Sequence, residues 1–565
     1  KARMVTTKSS SERLRIIPLG GIGEIGKNMM VIEFGDEMLI IDVGLAFPEE
    51  EMLGIDVVIP DMTYVLERHE RVKAVLLTHG HEDHVGGLPY LLRNMSAPVY
   101  GTRLTLGLVE DKLREFGATL HPDSRAITPG ETLRTGSFTV TFFRVNHSIA
   151  DCVGMRIETP AGAIVHTGDF KFDQTPVDGQ VADFHRLAEF GDKGVLVILS
   201  DSTNAERKGF TQSERVVGNA LDDIFRRAKK RILVASFASN VPRIQQVINA
   251  AHEHGRKVAV VGRSMENVVE VALRLGYLKD PGVIVDLQSI SRLPDDRVVL
   301  LTTGSQGEPM SALTRMAMAE HRRVEIQPGD TVVIAATAVP GNEKLVHRTI
   351  DHLFRLGAEV IYDAVSPVHV SGHASREELK LMLNLVRPKY FVPIHGEYRH
   401  LVHHAELAEM MGIPRENILI AENGTVLEFH KGKGRIAGKV QAGNVLVDGL
   451  GVGDVGKVVL KDRRQLSQDG ILIVVVAIHG KTGRVLSGPD IVSRGFVYVR
   501  ESESLLQEAK DRVTEAMNTC EREGVTDWGR IKAHIRDALQ SYLYERTRRQ
   551  PMILPIILDV NGEEE

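Results

Sequence analysis

The sequence predicts an α/β fold in which one layered domain is interrupted by an inserted module and followed by a smaller αβ domain. Short apolar runs separated by glycines fill the first part, helical segments alternate with apolar strands in the middle, and strands ending in histidine then return. The predicted boundaries are a flexible tail over 1–13, the layered domain over 14–204 and 366–448, the inserted domain over 205–365, a linker over 449–464 and the C-terminal αβ domain over 465–565.

The first part has the composition of a layered α/β domain. Its β-like runs include MMVIEF, MLIIDVG, VKAVLLT, FTVTFFRV and AIVHTGDF, and the patterns over 88–94 and 104–116 predict helices between them. The middle part predicts an open parallel sheet, because helical patterns over 212–227, 241–254 and 264–275 alternate with the strands RILVAS, KVAVVG, VVLLTT and TVVIAAT. An insertion explains why the first pattern then returns.

The segments after residue 365 close the layered domain and begin another. A helix over 376–385 leads to the strand-then-histidine segment YFVPIHGEYRH. Beyond a glycine-rich connector, the alternating strand ILIVVVAI, helices over 504–523 and 528–546 and the strand PMILPIIL predict an αβ domain large enough to pack on its own.

The composition excludes several classes of protein. Two cysteines in 565 residues cannot form a disulfide framework, so free thiols in a reducing cytoplasm are expected. The most continuous apolar run, Ile471–Ile478, is too short for a membrane span, and the polar, basic start is expected to be a tail and not a signal peptide. The net charge of −6 gives no bulk attraction to nucleic acid, so a polyanion site requires a local basic channel.

A glycine pattern near the start imitates a dinucleotide site. Gly21, Gly23 and Gly26 fit GxGxxG after a strand, and Asp42 follows at the distance of a ribose-binding acid. That fingerprint requires a helix directly after the glycines, whereas the apolar run that follows here indicates a strand. A glycine turn between strands is the better interpretation.

The segment HGHEDH, directly after the apolar run VKAVLL, is the most specific chemical signal in the chain. His79, His81, Asp83 and His84 crowd imidazole and carboxylate groups that would destabilise one another without a cation. These are the ligand types that borderline-hard divalent ions prefer. A metal site is therefore predicted, with a solvated loop of chance histidines as the alternative.

Further histidines and aspartates follow other strands, and together they form an ordered signature. Taken singly, His147 after FFRV and Asp169 after AIVH are more often structural than functional. With Asp42 after MLII, the HGHEDH block and His395 after FVPI, however, the order resembles that of the metallo-β-lactamase superfamily. The resemblance covers about two thirds of the chain, and it implies an αββα sandwich.

The resemblance also implies a metal centre with two divalent ions per subunit, zinc as the first choice and manganese as the alternative. The implied ligands are His79, His81 and His147 for one ion, Asp83, His84 and His395 for the other, and Asp169 between them. Two such ions lower the pKa of a shared water, which provides a hydroxide nucleophile at neutral pH. Asp42 is expected to orient a ligand imidazole from outside the cluster.

The inserted module is similar to the β-CASP domain of the nucleic-acid branch of that superfamily. The resemblance assigns Asp201 in VLVILSD and His373 in HVSGHAS to that branch, with His395 as its third motif. His373 is expected to donate a proton to the leaving oxygen or to stabilise the phosphate, held by Asp201. Asp42, Asp83, Asp201 and His373 are thus the predicted catalytic residues; turn capping for Asp201 and a structural role for His373 are the alternatives.

Two segments have the composition of phosphate cradles. Both place small and hydroxyl residues before a helix, where backbone N-H groups bind anions, although simple helix capping explains them as well. Phe237 could stack on a base. The predicted substrate-binding residues are Ser236, Phe237, Ala238 and Ser239, and His369, Val370, Ser371, Gly372, His373 and Ala374.

Longer segments, among them PLGGIGEIGKNMM, HTGDFKFD, SDSTNAE and PIHGEYRHL, resemble the bacterial ribonuclease J family across nearly the whole chain. That resemblance implies 5′-to-3′ exonuclease activity on 5′-monophosphate RNA and endonuclease activity, in mRNA decay and rRNA maturation. It also implies a homodimer or homotetramer and RNA-decay partners such as a helicase.

Other functions remain open from the sequence. A DNA-processing β-CASP nuclease is the nearest alternative, and His395 argues against it because the DNA-repair branch usually lacks a histidine there. A catalytically inactive RNA-binding scaffold is disfavoured by the intact metal-ligating set. A small-molecule hydrolase would leave the inserted and C-terminal domains without a role.

Overall fold

The computed structural model describes residues 13–304, 311–338, 342–479, 484–497 and 503–559. The chain forms two compact units, one of 1–47 with 58–445 and the other of 48–57 with 446–565. The tail predicted over 1–13 lies outside the described residues except for its last residue. In the described part of the chain, no helix is both long and apolar enough to cross a membrane.

The elements up to residue 201 are mainly strands. The strands are β1 (Leu14–Gly20), β2 (Ile22–Gly23), β3 (Met29–Phe34), β4 (Glu37–Ile41), β5 (Val57–Pro60), β6 (Val72–Leu76), β7 (Val99–Gly101), β8 (Arg125–Ala126), β9 (Thr132–Thr135), β10 (Phe138–Arg144), β11 (Val153–Thr159), β12 (Gly162–His166) and β13 (Val197–Asp201). The helices are α1 (Thr63–Leu66), α2 (Glu82–Val85), α3 (Leu88–Leu92), α4 (Arg103–Glu115) and α5 (Phe184–Lys193).

The inserted module alternates helices and strands. Its strands are β14 (Ile232–Ala235), β15 (Lys257–Val261), β16 (Val298–Thr302), β17 (Thr331–Ile334) and β18 (Glu359–Ile361). Its helices are α6 (Arg215–Arg227), α7 (Val241–Glu253), α8 (Arg263–Leu275), α9 (Leu287–Ile290), α10 (Ala312–Ala317) and α11 (Glu343–Arg355).

The remaining elements complete the layered domain and form the C-terminal unit. They are α12 (Arg376–Val386), β19 (Tyr390–Ile394), β20 (Gly396–Glu397), α13 (Tyr398–Met410), β21 (Thr425–His430), β22 (Lys433–Lys439), β23 (Asn444–Asp448), β24 (Gly451–Val452), α14 (Lys457–Asp469), β25 (Ile471–Ile478), β26 (Val485–Arg494), α15 (Glu503–Arg522), α16 (Trp528–Thr547) and β27 (Met552–Asp559). Single 3-10 turns lie at His69–Arg71, Asp295–Arg297 and Arg415–Asn417.

Two sheets pack face to face in the layered domain. Their strand orders are β22-β21-β1-β3-β4-β6-β7-β8 and β19-β13-β12-β11-β10-β9. Alternation along the strands explains the layering: Val140 and Phe142 of β10 join the core between the sheets, whereas Phe143 points to the other face and packs with Phe190 of α5. The outer face of the second sheet is thus covered by helices, as the predicted sandwich requires.

The inserted module is a parallel sheet with the strand order β15-β16-β14-β17-β18. Both faces are buried: Ile232 and Val234 join one apolar cluster, and Leu233 and Ala235 join another on the opposite face. Continuous apolar strands are the expected sequence pattern for such a sheet. The predicted helices begin and end within three residues of the observed α6, α7 and α8.

The C-terminal unit contains a sheet with the order β26-β25-β27. The alternating residues of β25 bury one face against α15 and α16, around Val474, Val513 and Ile535. The linker predicted over 449–464 differs from the structure, because α14 begins at Lys457. Residues 48–57 also belong to this unit, and nothing in their local sequence indicated it.

Candidate metal and nuclease site

The predicted site residues come together at the carboxyl ends of neighbouring parallel strands. Ile41 of β4 pairs with Leu76 of β6, so the chain emerges from both strands beside the HGHEDH segment. The strands β12, β13 and β19 are also parallel neighbours, and the three residues that follow or end them are Asp169, Asp201 and His395. Open α/β sheets place ligands at this edge because several loops meet there on a rigid support.

Three imidazoles form the first cluster. The Nδ1 atom of His81 lies 3.0 Å from Nε2 of His79 and 3.2 Å from Nε2 of His147. The Oδ2 atom of Asp169 lies 3.8 Å from His79 Nε2 and 3.7 Å from His147 Nε2. The three imidazole nitrogens thus form one group of candidate metal ligands, with Oδ2 of Asp169 beside two of them. Histidine nitrogens and a carboxylate oxygen are donors that zinc sites use.

A second cluster shares the same oxygen of Asp169. That Oδ2 atom lies 3.2 Å from His84 Nε2 and 3.3 Å from His395 Nε2. The Oδ2 atom of Asp83 lies 3.5 Å from His84 Nε2 and 3.3 Å from His395 Nε2. The structure thus brings together all seven side chains predicted as ligands, in the predicted grouping, with Asp169 between the two groups.

The outer nitrogens of two imidazoles bind fixed acceptors. His84 donates from Nδ1 to Oδ2 of Asp42 at 2.7 Å, and His147 donates from Nδ1 to the carbonyl oxygen of Gly372 at 2.7 Å. A proton held at Nδ1 leaves the lone pair on Nε2, the atom that faces the cluster. This tautomer is the one that a metal ligand needs.

Two threonine hydroxyls perform the same task for His79 and His395. Thr78 donates to Asp42 at 2.8 Å and can therefore accept from Nδ1 of His79, 3.0 Å away. Thr203 donates to Oδ1 of Asp201 at 2.8 Å and accepts from Nδ1 of His395, 2.7 Å away. Asp42 lies outside the cluster, in agreement with the orienting position expected for it.

The electrostatics of the clusters also fit bound cations. Burial lowers the pKa of His79 and His147 well below the ordinary value and that of His81 to about 4, so their lone pairs are available. Burial has the same tendency at His84, but Asp169, Asp83 and Asp42 outweigh it and raise the pKa. The carboxylates around His84 thus favour positive charge at this position, and a bound divalent ion would supply that charge.

His373 lies beside the clusters without belonging to either of the two main groups. Its Nδ1 atom donates to Oδ2 of Asp201 at 2.7 Å, and its ring stacks on that of His395 at a centroid distance of 5.3 Å. Burial opposes the charge of Asp201, but His373 holds the pKa of this carboxyl well below its usual range. The imidazole is partly exposed and fixed in orientation, as a proton donor must be.

The segment predicted to bind substrate around His373 uses its backbone more than its side chains. Val370 and Ala374 pack in the core, and Ser371 accepts from the side-chain amide of Asn204 at 2.8 Å. Gly372 is required by close approach, since a Cβ there would lie 2.6 Å from Nδ1 of His147. Any contact from Val370, Gly372 or Ala374 to a ligand would therefore run through the main chain.

The predicted cradle over 236–239 lies between β14 and α7. Capping of α7 falls to Asn240, which accepts from the backbone N-H of Arg243, and capping of α12 falls to Ser375. Neither residue belongs to the predicted substrate-binding set. Helix capping therefore does not account for Ser236–Ser239 or for 369–374.

The buried Arg243 connects the neighbourhoods of both segments. It donates from Nη1 to the carbonyl oxygens of Val368 and Ala335, each at 2.9 Å, and pairs with Glu214 at 2.7 Å. Nη1 and Nη2 of this buried guanidinium are thus paired, as a charge without solvent exposure requires, whereas its Nε atom has no hydrogen-bond partner among the described residues. The ion pair holds the start of α7 next to the segment that leads to His369.

Several residues that support the site were not predicted from the sequence. Asn28 donates to the carbonyl oxygen of Asp83 at 3.0 Å, and a Cβ at Gly44 would lie only 1.7 Å from that same oxygen. His395 donates its backbone N-H to Gly21 of the glycine turn at 3.0 Å. Thr78 and Thr203 flank predicted residues, and that position was their only signal; Asn28 had none because its partners are distant in sequence.

Four family models match successive parts of the chain. They are the beta-lactamase superfamily domain (54–188), the ribonuclease J beta-CASP domain (229–353), the Zn-dependent metallo-hydrolase RNA specificity domain (357–420) and the ribonuclease J C-terminal domain (458–560). The predicted fold class is therefore confirmed: a metallo-β-lactamase sandwich interrupted by a β-CASP domain and followed by a C-terminal αβ domain.

Curated relatives match the chain over nearly its full length. Ribonuclease J2 of Bacillus subtilis (strain 168) is 50% identical over 98% of this chain and 100% of its own. Ribonuclease J 1 of Streptococcus pyogenes is 46% identical over 96% and 97%, and Ribonuclease J 2 of Staphylococcus aureus (strain NCTC 8325) is 42% identical over 99% and 100%.

A solved structure, that of a protein of unknown function from Enterococcus faecalis V583, has a TM-score of 0.52 at 15% identity. It covers 75% of this chain and 100% of its own, and it supports the fold alone. The identities to the curated relatives, their coverage and the matched domain order together place this chain in the ribonuclease J family.

Proposed function

We propose that this protein is a metal-dependent ribonuclease that removes nucleotides from the 5′ end of 5′-monophosphate RNA and also cleaves RNA internally. The observation that carries this proposal is the grouping of seven ligand atoms into two clusters that share Oδ2 of Asp169, beside the His373–Asp201 pair. The names of the relatives, and the RNA specificity domain that matches 357–420, support RNA as the substrate.

The first cluster would hold one divalent cation and the second another, with zinc as the first choice and manganese as the alternative. When bound, two cations would lower the pKa of a water and neutralise charge on the attacked phosphate. The protein itself fixes the donors: Asp42 and Thr78 orient His84 and His79 before any ion arrives. Such preorganisation keeps the site in shape between turnovers.

His373 is suited to the leaving group. Asp201 binds its Nδ1 and thereby leaves Nε2 as the atom that can give a proton to a departing 3′ oxygen or donate a hydrogen bond to the phosphate. Asp201 also accepts from the backbone N-H groups of Phe170 and Thr203, so the carboxylate cannot rotate away. In this proposal His373 touches the reacting atoms and Asp201 positions it.

Unpaired donors support recognition of a terminal phosphate. The backbone N-H groups of Phe237, Ala238 and Ser239 have no acceptor among the described residues, and neither have those of Ser371 and Gly372. The hydroxyl of Ser236 is buried without a partner as well. A buried hydroxyl is rarely left without a partner, and half-buried backbone N-H groups in loops at the carboxyl edge of a sheet are common anion sites. A 5′-monophosphate would pair with them.

The C-terminal sheet supports a homodimer or homotetramer. Leu554, Ile556 and Leu558 of β27 are 44%, 37% and 48% exposed, and Val492 of β26 is 42% exposed. A contiguous apolar sheet face of this kind is typical of an association surface. Light scattering should give a mass of at least two chains for the protein and a lower mass for the Leu554→Glu/Leu558→Glu variant.

The decisive test is digestion of matched RNAs labelled at the 5′ or the 3′ end and carrying a monophosphate, triphosphate or hydroxyl at the 5′ end. Reactions are run with zinc, manganese or magnesium. We expect 5′ mononucleotides to be released fastest from the monophosphate RNA, and a circular RNA to be cut internally. Digestion from the 3′ end, or equal rates for all three 5′ ends, would contradict the exonuclease proposal.

Two controls separate the alternatives. Single-stranded DNA of the same sequence tests the DNA-processing function, which predicts equal or faster cleavage of DNA. The His81→Ala variant tests the scaffold function. If the protein is only a scaffold, the unmodified protein does not cleave RNA, and the variant binds RNA as tightly as the unmodified protein does. We expect the variant to lose cleavage and to retain RNA binding.

A further inference from the structure

A cleft of about 740 Å³ in the inserted domain is rich in arginine. Its lining residues are Arg263, Arg315, Glu320, Arg322 and Arg323. Three of the guanidinium groups belong to exposed residues, and that of Arg315 is half-buried and donates to the carbonyl oxygen of Glu320 at 3.4 Å. Within the described ranges of the chain, none of the four arginines forms an ion pair. We call this feature the arginine cleft.

Four unpaired cations in one cleft are unexpected in this chain. Acidic residues outnumber lysine and arginine by 75 to 69, so carboxylates are available for pairing over most of the surface. Like charges around one cavity repel one another unless an anion enters. The positive potential of these arginines also acts on His321: burial lowers its pKa, and Arg315 and Arg323 lower it further. With four arginines against the single carboxylate of Glu320, the lining of the arginine cleft has a net positive charge and is open to an anionic ligand.

The arginine cleft lies at the same edge of the parallel sheet as the cradle over 236–239. Val261, Thr302 and Ala235 are paired neighbours at the ends of β15, β16 and β14. Arg263 follows the first of these strand ends by two residues, and Arg315 lies on the helix after the second. Since adjacent strands are about 4.8 Å apart, the chain leaves β15 and β14 roughly 10 Å apart.

We propose that the arginine cleft binds backbone phosphates of single-stranded RNA at a contact separate from the metal clusters. The guanidinium fork matches the non-bridging oxygens of a phosphodiester, and it reads no base. The volume exceeds that of one phosphate group, which favours a segment of polyanion over a single small anion. This inference rests on the proposed function, since it assigns a further contact to the same RNA substrate.

The contact contributes to binding and not to chemistry. An RNA that reaches the arginine cleft gains phosphate contacts, whereas an RNA too short to extend beyond the metal clusters gains none. The expected signature is therefore a dependence on RNA length and on salt, with an unchanged rate for short substrates.

The test compares Arg322→Gln/Arg323→Gln with the control Arg226→Gln/Arg227→Gln. The control removes two exposed arginines at the end of α6, which leads into the amino end of β14 and so lies at the opposite edge of the sheet. Both variants change the net charge equally. Equilibrium binding of a long and a short single-stranded RNA is measured in chelator over a range of salt concentrations, with gels to verify that the RNA stays intact.

For the long RNA, of about 20 nucleotides, we expect the Arg322→Gln/Arg323→Gln variant to raise Kd about tenfold and to reduce the slope of log Kd against log salt by roughly 1.4. For the short RNA, of about 4 nucleotides, Kd in chelator should stay unchanged, and so should kcat in separate reactions with divalent metal. The control variant should behave as the unmodified protein does with both RNAs.

Three results would overturn the inference: an unchanged Kd for the long RNA, an equal rise in both variants, or an equal rise for both RNA lengths. Pyrophosphate and ATP are titrated separately; if they bind the unmodified protein and not the variant while RNA affinity is unaffected, the arginine cleft is a small-anion site instead. If the unmodified protein cleaves RNA but the Arg322→Gln/Arg323→Gln variant binds long RNA with an unchanged Kd, this inference is refuted and the proposed function stands. An unmodified protein that neither binds nor cleaves RNA refutes the proposed function.

Discussion

The Nδ1 atom of His373 lies 2.7 Å from Oδ2 of Asp201, although 172 residues separate the two in the chain. The other oxygen of Asp201 accepts from Thr203, whose hydroxyl contacts His395. One carboxylate therefore orients an imidazole of the second metal cluster and the imidazole beside it. The carboxylate of Asp201 therefore sets the position of the His373 imidazole relative to that of His395.

This relationship predicts the behaviour of His373→Ala. The substitution removes the proton donor and leaves all seven candidate ligands in place, so kcat should fall about 10²- to 10³-fold. RNA affinity and metal content should change little. Single-turnover rates, RNA binding and metal analysis measure these three quantities, and a variant with a normal rate but weak RNA binding would show that His373 acts in recognition alone.

Substitutions of Asp169 and His81 should have different effects on metal content. Asp169→Ala removes the shared oxygen, so both ions should bind weakly, whereas His81→Ala should retain about one ion per chain. Metal analysis after gel filtration distinguishes these outcomes. Equal metal content in both variants would contradict the shared position of Asp169.

Asp42 should control metal affinity without touching the ion. Asp42→Ala frees Nδ1 of His84 and the hydroxyl of Thr78, and we expect metal affinity to fall about 10- to 100-fold. Asp36→Ala is the matched control, because this carboxylate is exposed and lies on the turn before the same strand. Competition with a fluorescent chelator measures both variants, and an effect of equal size in the control would remove the argument.

Gly372→Ala should disturb the site through a steric clash with the ring of His147. The added Cβ would lie 2.6 Å from Nδ1 of His147 and displace its ring, so we expect a loss of metal and at least a tenfold loss of cleavage. Gly456→Ala is the control, since no atom lies within 4 Å of a Cβ there and its φ is −109°. Normal metal content in Gly372→Ala would show that the loop shifts without cost.

His404 predicts a loss of stability in acid. It is fully buried, its Nδ1 lies 2.9 Å from the hydroxyl of Ser202, and burial lowers its pKa to about 3. In the unfolded chain the histidine pKa is near 6.5, so the unfolded state binds the proton more tightly than the folded state. The free energy of unfolding therefore has its full value, as far as His404 is concerned, above pH 6.5, and it declines as the pH falls toward 3. At pH 5 the decline is about 2 kcal/mol.

His404→Asn should remove this part of the pH dependence, because an amide can keep the contact with Ser202 but does not titrate. The free energy of unfolding, measured in denaturant and chelator between pH 7 and 5, should fall less in the variant than in the unmodified protein. His403→Asn, one residue away on the exposed side of α13, should leave the dependence as it was. An unchanged slope in His404→Asn would mean that other groups cause the acid sensitivity.

Periodicity was sufficient to predict most of the secondary structure. The strands before HGHEDH and the helices α6, α7 and α8 were predicted because apolar residues recur at the spacing of a buried face. The start of α14 and the association of 48–57 with the C-terminal unit could not be predicted. Both depend on contacts between distant segments, such as Arg463 of α14 donating to the carbonyl oxygen of Leu53.

The sequence by itself determined the chemical inventory: the HGHEDH block, the later His147 and Asp169, and the distant His395, each within three residues of the end of an apolar strand. A strand end is a local property, so local patterns could identify these residues. Only the tertiary structure decided that one oxygen of Asp169 lies near both clusters, that Gly372 approaches His147, and that four arginines meet without an ion pair to any described residue. These facts depend on packing between segments far apart in the chain, and no local pattern specifies that packing.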